Sequence, residues 1–325
     1  MSNIQNPIDS DLGDQTSVRT PEISIIIACY NGARFLADAA SSALAQKNIV
    51  LEVLIIDDHS TDESHELANK LANKDSRIKV LQTPKNAGPG GARNVGIDAM
   101  RGRWYAMLDC DDTFAPDRCR ALIDAAEKAG ADMIADDLAV FGDDIEPHRH
   151  LGEAQPPSTI TLEGYFAGTI MYSPRPNLGF LKPIIRASTL DQRRYRTDLR
   201  IGEDDELVIQ LLLSGANYAY HSQALYNYRK HEASISHRLS ADHSALMVKS
   251  EENIRAQVMA AGRNSDDYKK RYSAILDAAA FADSVEALKE KQLSRAISAI
   301  AARPSALRHY AMPIAAHWKR FAQKS

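Results

Sequence analysis

Five apolar runs, each of strand length, alternate with segments of helical periodicity between residues 23 and 138. The runs are rich in Ile, Val and Leu, as buried strands are. Strands that alternate with helices predict a mostly parallel sheet with helices on both faces, an α/β fold. The runs are ISIIIACY (23–30), LEVLIIDD (51–58), IKVLQT (78–83), WYAMLDCDD (104–112) and ADMIADDL (131–138).

The segments between the runs carry helix signals. Apolar residues recur at helical spacing from Phe35 to Leu44. Ser60 and Glu63 form the S-x-x-E pattern of a capping box, which predicts a helix from there to about Leu71. Further along, GPGGARNVGIDAM (88–100) predicts a Gly-rich turn that continues into a helix.

Composition limits the partners and the compartment. The formal net charge of -4 argues against nucleic acid as a partner. The three cysteines have no C-x-x-C spacing, so a disulfide framework is not expected and a reducing compartment is. Residues 1–20 lack the pattern of a signal peptide, and no run reaches the ~18 apolar residues of a membrane helix. We therefore expect a cytoplasmic protein, free or peripheral at the inner face of the membrane.

Acidic residues collect where two of the predicted strands end. Ligands of parallel sheets bind beyond the carboxyl ends of the strands, so these side chains are expected to meet at one edge. An Asp-x-Asp pair there offers the oxygen ligands that Mg²⁺ or Mn²⁺ takes together with phosphates. Turn acids and helix N-caps are the simpler explanation of one such acid, but two clusters favour a site. The second strand ends in Asp57 and Asp58 and the fourth in Asp109, Asp111 and Asp112, while the first ends in Ala28, Tyr30 and Asn31, a polar strand end that is also a candidate for function.

A Gly-rich turn, NAGPGGARN (86–94), allows the backbone to approach a ligand closely. Arg93 follows it where the next helix begins, a position suited to a phosphate or a nucleotide. The turn has neither the G-K-[ST] of a Walker A loop nor the G-x-G-x-x-G of a dinucleotide site, and by itself it is a weak signal.

These stretches together resemble the family 2 glycosyltransferases of GT-A fold, in particular those of bacterial succinoglycan-type exopolysaccharide biosynthesis. The resemblance covers residues 22–236 and implies a Rossmann-like, mostly parallel central sheet flanked by helices, with an acceptor-side subregion and a C-terminal helical extension. The motifs that carry it are SIIIACYNGARFL, LIIDDHSTDES, NAGPGGARNVGI, YAMLDCDD, GEDDEL and YNYRKHEASIS.

The resemblance also implies roles for individual residues. Ala28, Tyr30 and Asp58 would contact the nucleotide base, with Asn31 beside them, and Arg93 would help hold the nucleotide. Asp109 and Asp111 would be the D-x-D pair at the ribose and the metal, Mg²⁺ or Mn²⁺, and Asp112 a nearby metal or sugar ligand. Asp204 would be the catalytic base, and His231 a further metal or diphosphate contact.

The chemistry of sugar transfer agrees with these roles. A diphosphate leaving group needs a cation, and the acceptor hydroxyl needs a carboxylate that takes its proton. Asp204 lies at a predicted helix N-terminus, where the helix dipole favours the ionised carboxylate. Spacing alone leaves Glu203 and Asp205 as rival bases, and leaves helix capping as a purely structural explanation of all these acids.

The resemblance suggests four regions. They are a disordered tail (1–20), a nucleotide-sugar-binding half (21–141), an acceptor-binding and catalytic half (142–238) and a C-terminal helical region (239–325). Within the last region, residues 303–325 are basic and aromatic and carry no acid, a composition that suits an anionic membrane surface or a helix docked on the protein.

The leading hypothesis is an inverting, metal-dependent glycosyltransferase that moves one sugar, with glucose as first choice, from a UDP-sugar. The acceptor would be a saccharide or lipid-linked saccharide of a bacterial surface polysaccharide. The chain lacks the Q-x-x-R-W motif of processive synthases, which favours one sugar per event. The alternatives are a nucleotidyltransferase, whose usual Gly-rich loop with Arg and Lys is missing from CYNGARFL, and a non-catalytic sugar-nucleotide-binding protein.

Overall fold

A computed structural model of the chain describes residues 20–143, 145–231 and 241–310. Most of the predicted N-terminal tail, the residues after His231 in YNYRKHEASIS, and the C-terminal segment from residue 311 lie outside the described residues. Within the described part, no helix has both the length and the apolar character required to cross a membrane.

One mixed sheet forms the centre of the molecule. Its strands lie in the order β3-β2-β1-β4-β8-β6-β9-β5, and β7 extends β6 at one side. Strand β1 pairs in parallel with β2 and β4, β2 with β3, and β6 with β9, so the sheet is mostly parallel as predicted. The strands are β1 (Ile23–Cys29), β2 (Leu51–Asp57), β3 (Ile78–Gln82), β4 (Trp104–Asp109), β5 (Thr113–Phe114), β6 (Met133–Gly142), β7 (His148–Arg149), β8 (Ile184–Arg186) and β9 (Tyr218–Lys230).

The core explains why these strands read as continuous apolar runs. β2 is buried along its whole length, and β1 and β4 are buried except at one position each. The register aligns Ala28 with both Ile56 and Asp109, so the ends of β1, β2 and β4 meet at one edge. The sequence predicted that edge as the ligand-binding side.

Strand β8 departs from the simple alternation of strands and helices. It lies between β4 and β6 and is antiparallel to both. The fifth apolar run therefore forms β6 but does not pair with β4 directly. The chain segment just before β8 contains Lys182, and this topology brings that lysine to the carboxyl end of β4.

The described part of the chain contains ten α-helices. The helices are α1 (Ala33–Leu44), α2 (Ser64–Ala72), α3 (Gly88–Ala99), α4 (Arg118–Ala129), α5 (Leu162–Gly168), α6 (Ala187–Leu190), α7 (Glu203–Leu213), α8 (Ala241–Ala260), α9 (Asp266–Lys289) and α10 (Leu293–Ala302). The last three helices pack on α5, α7 and one another.

The predicted capping box of Ser60 and Glu63 does not form at α2. The helix begins at Ser64, after both Ser60 and Glu63, and Glu63 makes no side-chain cap. Asp62 Oδ1 instead accepts from Ser64 N at 3.0 Å, and Ser60 Oγ accepts from Asn31 N at 3.0 Å. The Ser60 hydroxyl joins two loops at the sheet edge, and this tertiary bond outweighs the local cap.

Candidate active site

The centre of the candidate site is a ring of two acids and two cations. Arg93, on α3, donates to Asp109 at the end of β4 (2.8 Å) and to Asp204 at the start of α7 (2.7 Å). Lys182 Nζ lies 3.0 Å from the second oxygen of Asp109 and 3.1 Å from the second oxygen of Asp204. The structure thus brings together Arg93, Asp109 and Asp204, which the sequence predicted as site residues in separate motifs.

The ring keeps Asp109 charged. Burial alone would raise the pKa of Asp109, but Lys182 and Arg93 outweigh it and hold that pKa well below its usual range. Burial disfavours the charged form of Lys182 as well, yet Asp109 and Asp204 keep its pKa above the usual value. Both carboxylates of the ring therefore have cationic partners on both oxygens.

Of the four acids that begin α7, the first two bind Arg93 and the last two bind residues of α8 and α9. Glu203 shares Arg93 with Asp204, through a hydrogen bond of 2.8 Å from Arg93 Nη1. Asp205 faces away from the ring: it accepts from Arg271 on α9 at 2.7 Å and from the Tyr165 hydroxyl at 2.6 Å. Glu206 accepts from Gln210 on its own helix and from Asn253 and Gln257 on α8. Asp205, one of the two alternative bases left open by the sequence, thus binds a C-terminal helix and not the cations of the ring.

Arg271 ties the C-terminal helices to α7. It is buried, and besides Asp205 it donates to Glu251 on α8 at 2.9 Å and to Thr169 Oγ1. Burial opposes the charge of this guanidinium, but Asp205 and Glu251 hold its pKa above the ordinary value. Through Arg271, the helices α8 and α9 are therefore bound to Asp205, the residue that follows Asp204.

Asp111 and His231 form a second pair at this edge. Their Oδ2 and Nε2 atoms are 2.9 Å apart, and the His231 ring packs on Phe35 with a centroid distance of 4.9 Å. A carboxylate oxygen and an imidazole nitrogen are both common metal ligands. The described residues contain no group of three or more His, Cys, Asp or Glu side chains that could hold an ion, so these two would need ligand oxygens to complete a metal shell.

Asp112 is turned into the protein. Its side chain is buried, Oδ1 accepts from Arg229 N at 2.7 Å, and Oδ2 accepts from the Tyr226 hydroxyl at 2.8 Å. Burial, together with the charges of Asp109 and Asp111, raises its pKa well above the ordinary value. In this geometry the Asp112 carboxylate binds β9 to the end of β4 through both of its oxygens.

The predicted base-binding residues lie together around the end of β1. Tyr30 is half exposed, and Asn31 Oδ1 accepts from Thr61 N at 2.8 Å. Asp58 is buried: Oδ1 accepts from Ala87 N and Oδ2 from Gly88 N, both at 2.8 Å. Its carboxylate therefore caps the N-terminus of α3, the helix that carries Arg93.

Sequence reasoning missed Lys182 and Arg271. Lys182 lies in FLKPII, a stretch that reads only as a possible strand, and its role becomes visible once β8 is placed beside β4. Arg271 is 66 positions from Asp205, on a helix whose charged residues look like a solvated surface. No local pattern marks either residue.

Comparison with known proteins identifies the family. A sequence model described as "Glycosyl transferase family 2" matches residues 24–187. The succinoglycan biosynthesis protein ExoO of Rhizobium meliloti is 36% identical over 310 residues, which are 94% of this chain and 88% of ExoO. The chain belongs to glycosyl transferase family 2. The similarity to ExoO extends well beyond the region that the family model matches.

Solved structures confirm the GT-A fold expected of this family. S. aureus TarS 1-349 has a TM-score of 0.60 at 16% identity, covering 86% of this chain and 90% of the TarS chain. The mannosyltransferase PcManGT from Pyrobaculum calidifontis, solved in complex with GDP-Man and Mn²⁺, has a TM-score of 0.55 at 15% identity and covers 91% of this chain and 80% of its own. The resemblance to a family 2 glycosyltransferase is thus confirmed, and the protein is a glycosyltransferase.

Proposed function

We propose that this family 2 enzyme is an inverting glycosyltransferase that transfers a single sugar, with glucose as first choice, from a UDP-sugar to a saccharide or lipid-linked saccharide. The process would be the biosynthesis of a bacterial surface polysaccharide. ExoO, the relative named above, is a succinoglycan biosynthesis protein, and the TarS fragment has been solved with UDP and with UDP-GlcNAc.

One observation carries the proposal: Asp109 and Asp204 lie against the same two cations. Asp109 ends a strand at the edge where the predicted nucleotide-binding residues collect. Asp204 opens a helix from the other half of the chain. A donor sugar bound at the end of β4, next to Asp109, would therefore lie close to Asp204, which could act as the base for the acceptor.

In this proposal, Asp204 takes the proton of the acceptor hydroxyl as that oxygen attacks the sugar. Arg93 and Lys182 hold the carboxylate in place. Tyr30, half exposed, offers a ring on which a base can stack, while Ala28 and Asn31 line the same end of β1. Asp58 would act through α3, by fixing the helix that carries Arg93.

We propose Mg²⁺ or Mn²⁺ as the cofactor, held by Asp111 and His231 with donor phosphate oxygens completing its shell. Asp109 could join them through lone pairs that Arg93 and Lys182 leave free, because each carboxylate oxygen has two. A bound ion would offset the negative charge of the departing diphosphate.

The test is a thermal-shift screen of UDP-sugars with and without Mn²⁺, followed by transfer assays of wild type and Asp204→Asn. The proposal expects a UDP-sugar shift that grows with Mn²⁺, and loss of transfer in the variant with UDP binding retained. Stabilisation by ATP or NAD in place of UDP would instead favour another class, such as a nucleotidyltransferase. UDP binding without sugar transfer from any donor would indicate a non-catalytic binding protein.

A further inference from the structure

Two of the three cysteines meet beneath the candidate donor site. Cys29 is the last residue of β1, and Cys110 directly follows the last residue of β4. Because Ala28 is aligned with Asp109 in this parallel pair, the next residue of each chain segment points to the same side of the sheet. Cys110 is also the middle residue of the D-C-D motif, between Asp109 and Asp111.

The side chains of the two cysteines share one small space next to Gly32. A Cβ atom on residue 32 would lie 2.7 Å from Cys110 Sγ and 3.1 Å from Cys29 Sγ, so only glycine leaves room for both sulfurs. Both are free cysteines in the structure.

The pair fits the requirements of a disulfide. Adjacent strands lie about 4.8 Å apart, within the range of roughly 4.4–6.8 Å that Cα atoms of disulfides span. Both sulfurs lie against the same point beside Gly32, so a bond needs the turn that contains Cys110 to approach the end of β1. Cys110 is partly exposed, whereas Cys29 is buried.

We propose that Cys29 and Cys110 form a redox-reactive pair, which a peroxide converts into an intramolecular disulfide that closes the donor site. Hydrogen peroxide oxidises one of the two thiols to a sulfenic acid and leaves one water. The sulfur of the other cysteine then attacks the sulfenic sulfur, the S–S bond forms, and the hydroxyl leaves as a second water with the proton of that cysteine. Two thiols and one peroxide thus give one disulfide and two waters, and a dithiol reductant reverses the change.

The consequence for the donor rests on the function proposed above. A disulfide brings its sulfurs to about 2 Å, so the turn with Asp109 and Asp111 is drawn toward Tyr30 and the loop that begins there. That turn carries a ring acid and a proposed metal ligand. The oxidised protein therefore binds UDP with Mn²⁺ more weakly, and reduction restores binding.

The cross-link itself is tested on the full chain without any substrate. Hydrogen peroxide should lower the intact mass by two hydrogen atoms, and peptide mapping should place the bond between Cys29 and Cys110. Cys119→Ser is the matched control and should still form the cross-link, whereas Cys110→Ser and Cys29→Ala should not. Oxidation that gives only sulfinic acid, or a bond that includes Cys119, would overturn the proposal.

The closing effect is tested by calorimetric titration of UDP in the presence of Mn²⁺. The cross-linked protein should bind at least about ten-fold more weakly than the reduced protein, and recover after treatment with dithiothreitol and removal of the reagent. Unchanged affinity in fully cross-linked protein would overturn the closing effect. If the reduced protein did not bind UDP, the proposed function would fail, while the mass measurement would still decide the cysteine pair.

Discussion

Asp109 and Asp204 come from different halves of the chain and are bound by the same two cations. Arg93 donates to one oxygen of each acid, and Lys182 Nζ lies close to the other oxygen of each. Ion pairs with Arg93 and Lys182 therefore connect the end of β4 to the start of α7. This relationship places the donor side and the acceptor side of the proposed reaction in one rigid unit.

Lys182→Met should destabilise the protein by about 3 kcal/mol, because removal of one partner leaves two largely buried carboxylates with an uncompensated charge. Urea unfolding followed by circular dichroism measures the change. Lys182→Arg keeps the positive charge and should lose clearly less. An unaltered free energy of unfolding in Lys182→Met would mean that the lysine contributes nothing to holding the two acids.

Arg271→Met should loosen the contact between α9 and the start of α7. The change leaves Asp205 and Glu251 without their buried guanidinium, at a cost of about 3 kcal/mol. Hydrogen exchange should show lower amide protection in α7, α8 and α9 than in the wild type. Arg255→Met, on the exposed side of α8, is the matched control and should change stability by less than about 0.5 kcal/mol.

Asp58→Ala should cost about 2 kcal/mol, because the carboxylate accepts from the amides of Ala87 and Gly88 at the start of α3. Thr83→Val removes only the hydroxyl that donates to Asp58 and should cost less. Thermal unfolding of both variants measures the difference. Equal losses would show that the cap on α3 is not what Asp58 provides.

Glu206→Gln should change how stability depends on pH. Burial raises the pKa of Glu206 despite the nearby Arg196, so the folded state binds this proton more tightly than the unfolded state. The contribution of Glu206 is fully present below the unfolded pKa and is lost as pH rises through the folded pKa. The variant should therefore gain stability relative to wild type from pH 4.5 to pH 7, measured by urea unfolding, and Glu127→Gln, at an exposed site, should not.

His231→Ala should remove most of the effect of Mn²⁺ on UDP binding. The imidazole lies 2.9 Å from Asp111, and without it only one of the two proposed protein ligands remains. The measurement is the additional thermal shift that Mn²⁺ gives in the presence of UDP. His148→Ala, at an exposed position on β7, serves as control. A full Mn²⁺ effect in His231→Ala would place the ion elsewhere.

The central strands and the site edge could be predicted because they depend on local signals. β1, β2 and β4 are covered on both faces and read as unbroken apolar runs, and acids follow β2 and β4 directly. The helix that begins at Glu203 was also predictable, since its acidic start marks an N-terminus. The family resemblance followed from these same segments.

What the sequence hid depends on contacts between distant residues. Arg93 and Asp204 are 111 positions apart in the sequence. Lys182 reaches Asp109 and Asp204 only because β8 lies beside β4 in the sheet. The short strand β8 has too few residues for a periodic signal. The S-x-x-E pattern before α2 gave a wrong prediction of the helix start. The Ser60 hydroxyl accepts from Asn31 N, and the helix begins at Ser64.

The most direct test of the central claim compares Asp204→Asn with wild type in two assays on the same preparations. One assay titrates UDP in the presence of Mn²⁺, and the other follows sugar transfer from the UDP-sugar that stabilises the protein most. We predict unchanged UDP affinity within about two-fold and a loss of transfer of at least about 100-fold, the range expected for removal of a general base. Transfer at the wild-type rate in Asp204→Asn would contradict the account.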